Sequence, residues 1–136
     1  MDGFNKNEGR KYQLNVLGEK LESCNCSKSM EKLINLTGFY RDGFCHTSEE
    51  DYGMHTVCCL MTKDFLIYTK KVGNDLSTPI PEYNFSGLKE GDLWCLCASR
   101  WKEAFDAGMA PKIKLKSTNI TTLSIIDLEI LKKFSV

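Results

Sequence analysis

The chain predicts an α+β domain of two layers, a small mixed sheet with two or three helices on one face. Two apolar stretches, residues 55–61 and 93–98, are each followed at once by a helical pattern. A third segment, residues 112–116, alternates lysine with Ile113 and Leu115, as a strand with one wet face does. The length of 136 residues fits one domain, and 42% hydrophobic with 26% charged residues is a globular composition.

Taken in order, residues 1–11 are polar and read as a flexible N-terminal tail, leaving 12–136 as the single domain. Tyr12, Leu14 and Val16 alternate with polar residues as in a strand that ends at Gly18. Residues 30–34 suggest one short helical turn, and Asp42-Gly43 a hairpin turn. The first strand, apolar on both faces, should be central. Thr62 suits the N-cap of its helix, Phe65, Leu66, Thr69 and Val72 the buried stripe, and Gly73 the stop. In the second unit Ser99 suits the N-cap, Trp101, Ala104 and Phe105 the stripe, and Gly108 with Pro111 the stop.

Between the units, residues 74–92 form a long connection with no periodicity, pinned by Ile80, Tyr83, Phe85 and Leu88. Residues 120–126 lean towards strand. Asp127 can cap a last helix carrying Leu128, Leu131 and Phe134, with Glu129 and Lys133 paired across one turn.

Eighteen Lys+Arg against eighteen Asp+Glu leave no net charge, which argues against nucleic acid and against a basic membrane-binding face. No apolar run approaches the ~20 residues of a membrane span. The polar leading segment lacks an export signal, so the expected location is intracellular, in the cytoplasm. In that reducing setting the seven cysteines are expected as buried thiols, metal ligands or reactive groups rather than disulfides.

Chemistry-bearing residues fall into three sets. Cys45, His55, Cys58, Cys95 and Cys97 are candidate ligands for zinc or iron, although no cysteine pair has the two-to-four-residue gap of a zinc knuckle. Cys45, Cys58 or Cys97 with His55 as base would make a thiol nucleophile. Arg41 and Arg100, two of only three arginines, suit a carboxylate or phosphate, with internal salt bridges to Asp42, Asp75 or Asp92 as the plainer alternative. Asp42, Asp51 and Asp75 offer carboxylates, Asp51 at the end of an acidic loop expected in solvent. Trp94 and Trp101 suit core or pocket wall. No phosphate loop, His-Glu-x-x-His helix or serine-hydrolase elbow is present.

The ordered motifs Asn15-Val16-Leu17-Gly18, Thr37-Gly38-Phe39-Tyr40-Arg41-Asp42-Gly43, His55-Thr56-Val57-Cys58, Gly73-Asn74-Asp75-Leu76-Ser77-Thr78-Pro79 and Gly91-Asp92-Leu93-Trp94-Cys95-Leu96-Cys97-Ala98-Ser99-Arg100-Trp101 run through most of the chain. In them the sequence resembles the small bacterial-type proteins known as domain of unknown function 2237. The resemblance implies an α+β two-layer fold and no established activity. It also picks out positions matching Cys24, Arg41, Asp42, Cys45, His55, Cys58, Asn74, Asp75, Cys95, Cys97 and Arg100. Asn119 stands where that family often has histidine.

The function these features suggest is a small binding protein with a Cys/His/Arg/Asp pocket for a metal ion or small anion. In that pocket Arg41, Asp42, Asn74, Asp75, Trp94 and Arg100 would bind the ligand. A thiol-dependent enzyme and a non-catalytic interaction module are the alternatives.

Overall fold

A computed structural model describes residues 12–25 and 36–136. The tail 1–11, the short helical turn at 30–34 and Cys26 lie outside the described residues. The fold is the α+β arrangement expected from the two strand-then-helix units. Strand β1 (His55–Leu60) leads into helix α1 (Lys63–Lys71), and strand β2 (Leu93–Cys97) into helix α2 (Ala98–Asp106). A two-residue strand β3 (Lys112–Ile113) and helix α3 (Leu128–Lys133) follow. The sheet order is β2-β1-β3, with β1 in the centre and antiparallel to both neighbours. One isolated parallel bridge joins Ile113 to Ser135. Residues 74–92 provide the return path that antiparallel pairing of the two units requires.

Local chemistry explains the element ends. The Thr62 hydroxyl accepts from the Phe65 N–H at 3.1 Å, capping α1, and Gly73 follows its end with a φ of +96°. Position 97, not Ser99, caps α2, and its thiol makes no capping bond; Ser99 is already helical. Val72 sits at the end of α1 and, at 37% exposed, is not part of the buried stripe. Only Lys112 and Ile113 of the lysine-alternating segment pair as a strand, after which Leu115–Ser117 tightens into a 3-10 turn. Ile120–Ser124 is also 3-10 rather than strand. Residues 12–16 make isolated bridges only, and the Asp42-Gly43 turn has no paired strands beside it. In α3 Glu129 pairs with Lys132, not Lys133, at 3.4 Å.

The alternation of β1 explains the layering. Val57 and Cys59 join Trp94 and Leu96 of β2 on the helical face. There they pack with Phe65 and Leu66 of α1, Trp101 and Ala104 of α2, and Leu131 of α3. Trp101 stacks on Phe105 at 5.6 Å, meets Phe134 edge-on at 5.2 Å, and donates its indole N–H to the Pro111 carbonyl at 3.1 Å.

The opposite face carries the principal departure from expectation. Cys58 of β1 is bonded to Cys24, and Cys95 of β2 to Cys45. Cys58 and Cys95 are themselves cross-strand partners, so two disulfides lie side by side beneath the sheet. All four residues are at most 1% exposed. Cysteines expected as free thiols are thus spent on tying two irregular segments to the sheet, because their α-carbons come within 5.6 and 5.3 Å. Two cysteines among the described residues stay free, Cys59 and Cys97. Burial pushes the Cys59 thiol up from its ordinary value and keeps it protonated and inert.

The bridges close loops of 34 and 50 residues, for which the chain-entropy model gives about 4 kcal/mol each. Alkylation of the unfolded, unreduced chain should therefore label Cys59 and Cys97 and spare Cys24, Cys45, Cys58 and Cys95. The double variant Cys45→Ala/Cys95→Ala should melt roughly 10–20 °C lower. Labelling of all four bridge positions with no change in melting would mean that the bridges do not form.

Candidate functional site

Opposite sheet ends and faces sort the candidate residues. The segment before β1 folds through consecutive tight turns, in which Asp51 N–H reaches the Ser48 carbonyl and Met54 N–H the Asp51 carbonyl, both at 3.0 Å. These turns draw Asp51 out of solvent, where an exposed acidic loop was expected, and its side chain is fully buried. Its carboxylate accepts from His55 Nδ1 at 2.6 Å, the His55 backbone N–H at 2.9 Å and the Thr47 hydroxyl at 3.0 Å. The imidazole is therefore fixed with Nδ1 as donor, and its Nε2, the acceptor of the neutral ring, has no partner among the described residues.

In the sheet register His55 lies opposite Cys97, the last residue of β2. The Cys97 thiol donates to the Gly53 carbonyl at 2.7 Å and lies 3.2 Å from the Ser99 hydroxyl. A β-carbon on Gly53 would come within 2.8 Å of Cε1 of His55, so the thiol and the imidazole flank the same glycine.

The arginines approach from elsewhere in the chain. Residues 37–44 form a tight turn in which Gly38 has a φ of +101° and would drive a β-carbon to 2.2 Å from the Phe44 carbonyl oxygen. Arg41, itself at a φ of 56°, places its guanidinium carbon 5.1 Å from the centre of the Trp94 ring and donates to the Gly38 carbonyl at 3.0 Å. Partial burial holds that guanidinium below its ordinary value. Arg41 has no carboxylate partner among the described residues; Arg100 pairs with Glu103 on the surface of α2, at 3.2 Å. The salt bridges expected to Asp42, Asp75 or Asp92 are not made by either arginine.

A cavity of about 510 Å³ brings these groups together. Arg41, Arg100, His55, Cys97 and Asn74 supply its polar lining, and Phe39, Leu76, Trp94 and Leu96 its apolar walls. Six of the sequence candidates therefore share one space. One other, Asp75, shapes it from outside. Asp75 accepts from the Thr78 hydroxyl and the Ser77 and Thr78 N–H groups, which hold its carboxyl below the usual range and curl the loop carrying Asn74 and Leu76. Gly87, at a φ of +84°, lets that loop pass so close that a β-carbon would meet the Ser77 carbonyl oxygen at 2.3 Å. Asp42 instead holds His46 at 2.8 Å, and Asn119 donates to Gln13 and to the Cys45 carbonyl, both structural duties.

The remaining candidates do not converge on the cavity. Cys45 and Cys58 cannot serve as nucleophiles, because each is consumed in a disulfide. Cys45, Cys58 and Cys95 lie in the buried bridge layer, apart from His55 and Cys97, so the five-residue metal set is divided. The sulfurs of Cys24, Cys45 and Cys95 lie within 4.8 Å of one another, a grouping that could hold a metal ion only with the bridges reduced. Phe39, Leu76, Leu96 and the buried Asp51 were not singled out for these places by sequence. Only the Asp51-to-His55 spacing of four, one tight turn, could have signalled the pair.

The structure thus defines a class: a small α+β domain bridged beneath its sheet, with an arginine-lined cavity at one end of the two principal strands. A family model described as an uncharacterized protein conserved in bacteria (DUF2237) matches residues 14–135, and the chain belongs to that family. A search of curated proteins finds no match.

Asp51→Ala would leave three donors without their acceptor, two of them backbone or ring N–H groups. It should cost roughly 3 kcal/mol or more in chemical denaturation. A loss below 1 kcal/mol would show that the buried carboxylate does not hold this corner.

Proposed function

We propose that the protein binds a small anion, a carboxylate or phosphate carried on a compact organic body. One observation carries this: Arg41, without a carboxylate partner among the described residues, opens with Arg100 onto a cavity whose other walls are aromatic and aliphatic. Guanidinium forks match the two oxygens of such groups, and Trp94 with Leu76 and Leu96 would cover the organic part. Asn74 adds a neutral amide for orientation. All four bridge cysteines are at most 1% exposed, and that burial shields the bridges from reducing thiols, so an intracellular setting is compatible with them. No helix among the described residues is long and apolar enough to cross a membrane.

Calorimetric titration with inorganic phosphate and with malonate tests the proposal. Binding of at least one is expected, weakened about 10–100-fold by Arg41→Ala or Arg100→Ala, the range of a lost charge-assisted hydrogen bond. Absence of binding to both, with arginine variants that merely melt lower, would favour the interaction module instead.

A metal-binding reading rests on a different observation, the three sulfurs within 4.8 Å. Zinc requires thiolates, so it should bind only after both disulfides are reduced, in one equivalent per chain. Elemental analysis of reduced, zinc-exposed and desalted protein decides this; metal below a tenth of an equivalent removes it.

A further inference from the structure

We infer that Cys97 is a nucleophilic thiol served by His55 and held in place through Asp51, acting on carbon electrophiles that carry the anionic group bound by the arginines. This rests on the anion pocket proposed above and assigns it a reaction. Cys97 and Cys59 are the two free cysteines among the described residues; Cys97 alone of them opens to the cavity, while Cys59 is sealed in the core. The β1–β2 register sets it opposite His55, across the irregularity between His55 and Val57, and both residues line the same cavity. Asp51 occupies Nδ1 of that imidazole, so Nε2 is the nitrogen able to take a proton. These are the residue types of a nucleophile, a base and an orienting carboxylate; the thiol proton rests on the Gly53 carbonyl at 2.7 Å and has to turn from it to Nε2 for the reaction.

Cys97 also occupies the N-cap of the nine-residue helix α2 without capping it by its side chain. The Ala98 N–H of that helix is taken by the Met54 carbonyl at 2.9 Å, and the thiol caps none of the amides behind it. In the reaction the thiol proton passes to Nε2 of His55 as sulfur attacks the electrophilic carbon. A carbon–sulfur bond forms, the bond to the leaving group breaks, and the leaving group departs with its electron pair. The imidazolium then gives its proton to water. Arg41 and Arg100 hold the carboxylate or phosphate of the electrophile and so aim its carbon at sulfur.

Iodoacetate is a member of this class, and iodoacetamide is its uncharged counterpart. The folded, unreduced protein should be treated with each at pH 7, and modification at Cys97 followed by peptide mass spectrometry against N-acetylcysteine. Cys97 is expected to react about tenfold or more faster than the free thiol, and to favour iodoacetate more strongly than N-acetylcysteine does. His55→Gln should slow both reagents about tenfold, with partial recovery on adding imidazole, whereas Arg41→Ala should slow iodoacetate alone. Reaction no faster than N-acetylcysteine, or unaffected by His55→Gln in protein that retains native circular dichroism, overturns the nucleophile. If phosphate or malonate still binds with arginine dependence in that case, the anion pocket stands without it. Fast, His55-dependent alkylation with no added preference for iodoacetate overturns the assignment of an anionic substrate, and titration without binding then removes the pocket proposal as well.

Discussion

The central strand is buried on both faces, and the rest of the structure follows from what covers each. A six-residue strand cannot leave one side bare in water when that side carries Cys58 and its cross-strand neighbour Cys95. Helices cover the side bearing Val57 and Cys59. The other side is covered by segments without regular elements, which lack a repeating apolar stripe and so gain little from burial alone. Covalent closure replaces that missing stripe: Cys24 and Cys45 bring their segments down onto the strands, and ordering entropy is removed in advance from the unfolded chain. Hydrogen bonds then complete the seam, as where the Thr37 hydroxyl accepts from the Cys95 N–H at 2.7 Å.

The cavity depends on this cover. Arg41 sits four residues before Cys45, and the turn that exposes it is held by the bridge to β2, the strand that also supplies Trp94, Leu96 and Cys97. The loop that delivers Asn74 is fixed separately, by Asp75 within it and by the close passage of Gly87. Two independently anchored loops therefore meet over one strand end, and a change in the bridge layer should be felt at Arg41 before it is felt among the helices.

Much of the helical layer was legible because its signals are local. Thr62, Gly73, Gly108 and the Trp101-Ala104-Phe105 stripe act within one or two turns, and periodicity reports them directly. The third strand was overestimated because alternation at Ile113 and Leu115 carries no information about whether a partner remains to pair with after Ile113. The disulfides were out of reach for a different reason. Their partners are 34 and 50 residues apart, and spacing does not encode connectivity; an inference from compartment pointed the wrong way for these four sulfurs. Of the candidate site, Arg41, His55, Trp94, Cys97 and Arg100 were named from chemistry and Asn74 from the family resemblance, and the six share a cavity. Asp51 was misjudged as solvated because three consecutive acids read as a surface loop, and its burial follows from turn geometry and a fixed imidazole that no pattern displays.

The cysteines end in two populations with opposite physical character, and the sheet itself makes the division. Where Cys58 and Cys95 face each other in the middle of the strand pair, water is excluded and sulfur is tied to sulfur, so those atoms have no nucleophilic electron pair to offer as thiolates. Where the same pair of strands ends, at His55 opposite Cys97, the register shifts between His55 and Val57, the chain turns into a helix, and one thiol reaches the cavity. Cys97 is the last residue of β2 and the N-cap of α2, so the cover that seals position 95 stops short of it. Its place at the strand end is what separates a sulfur available for chemistry from four that hold the fold.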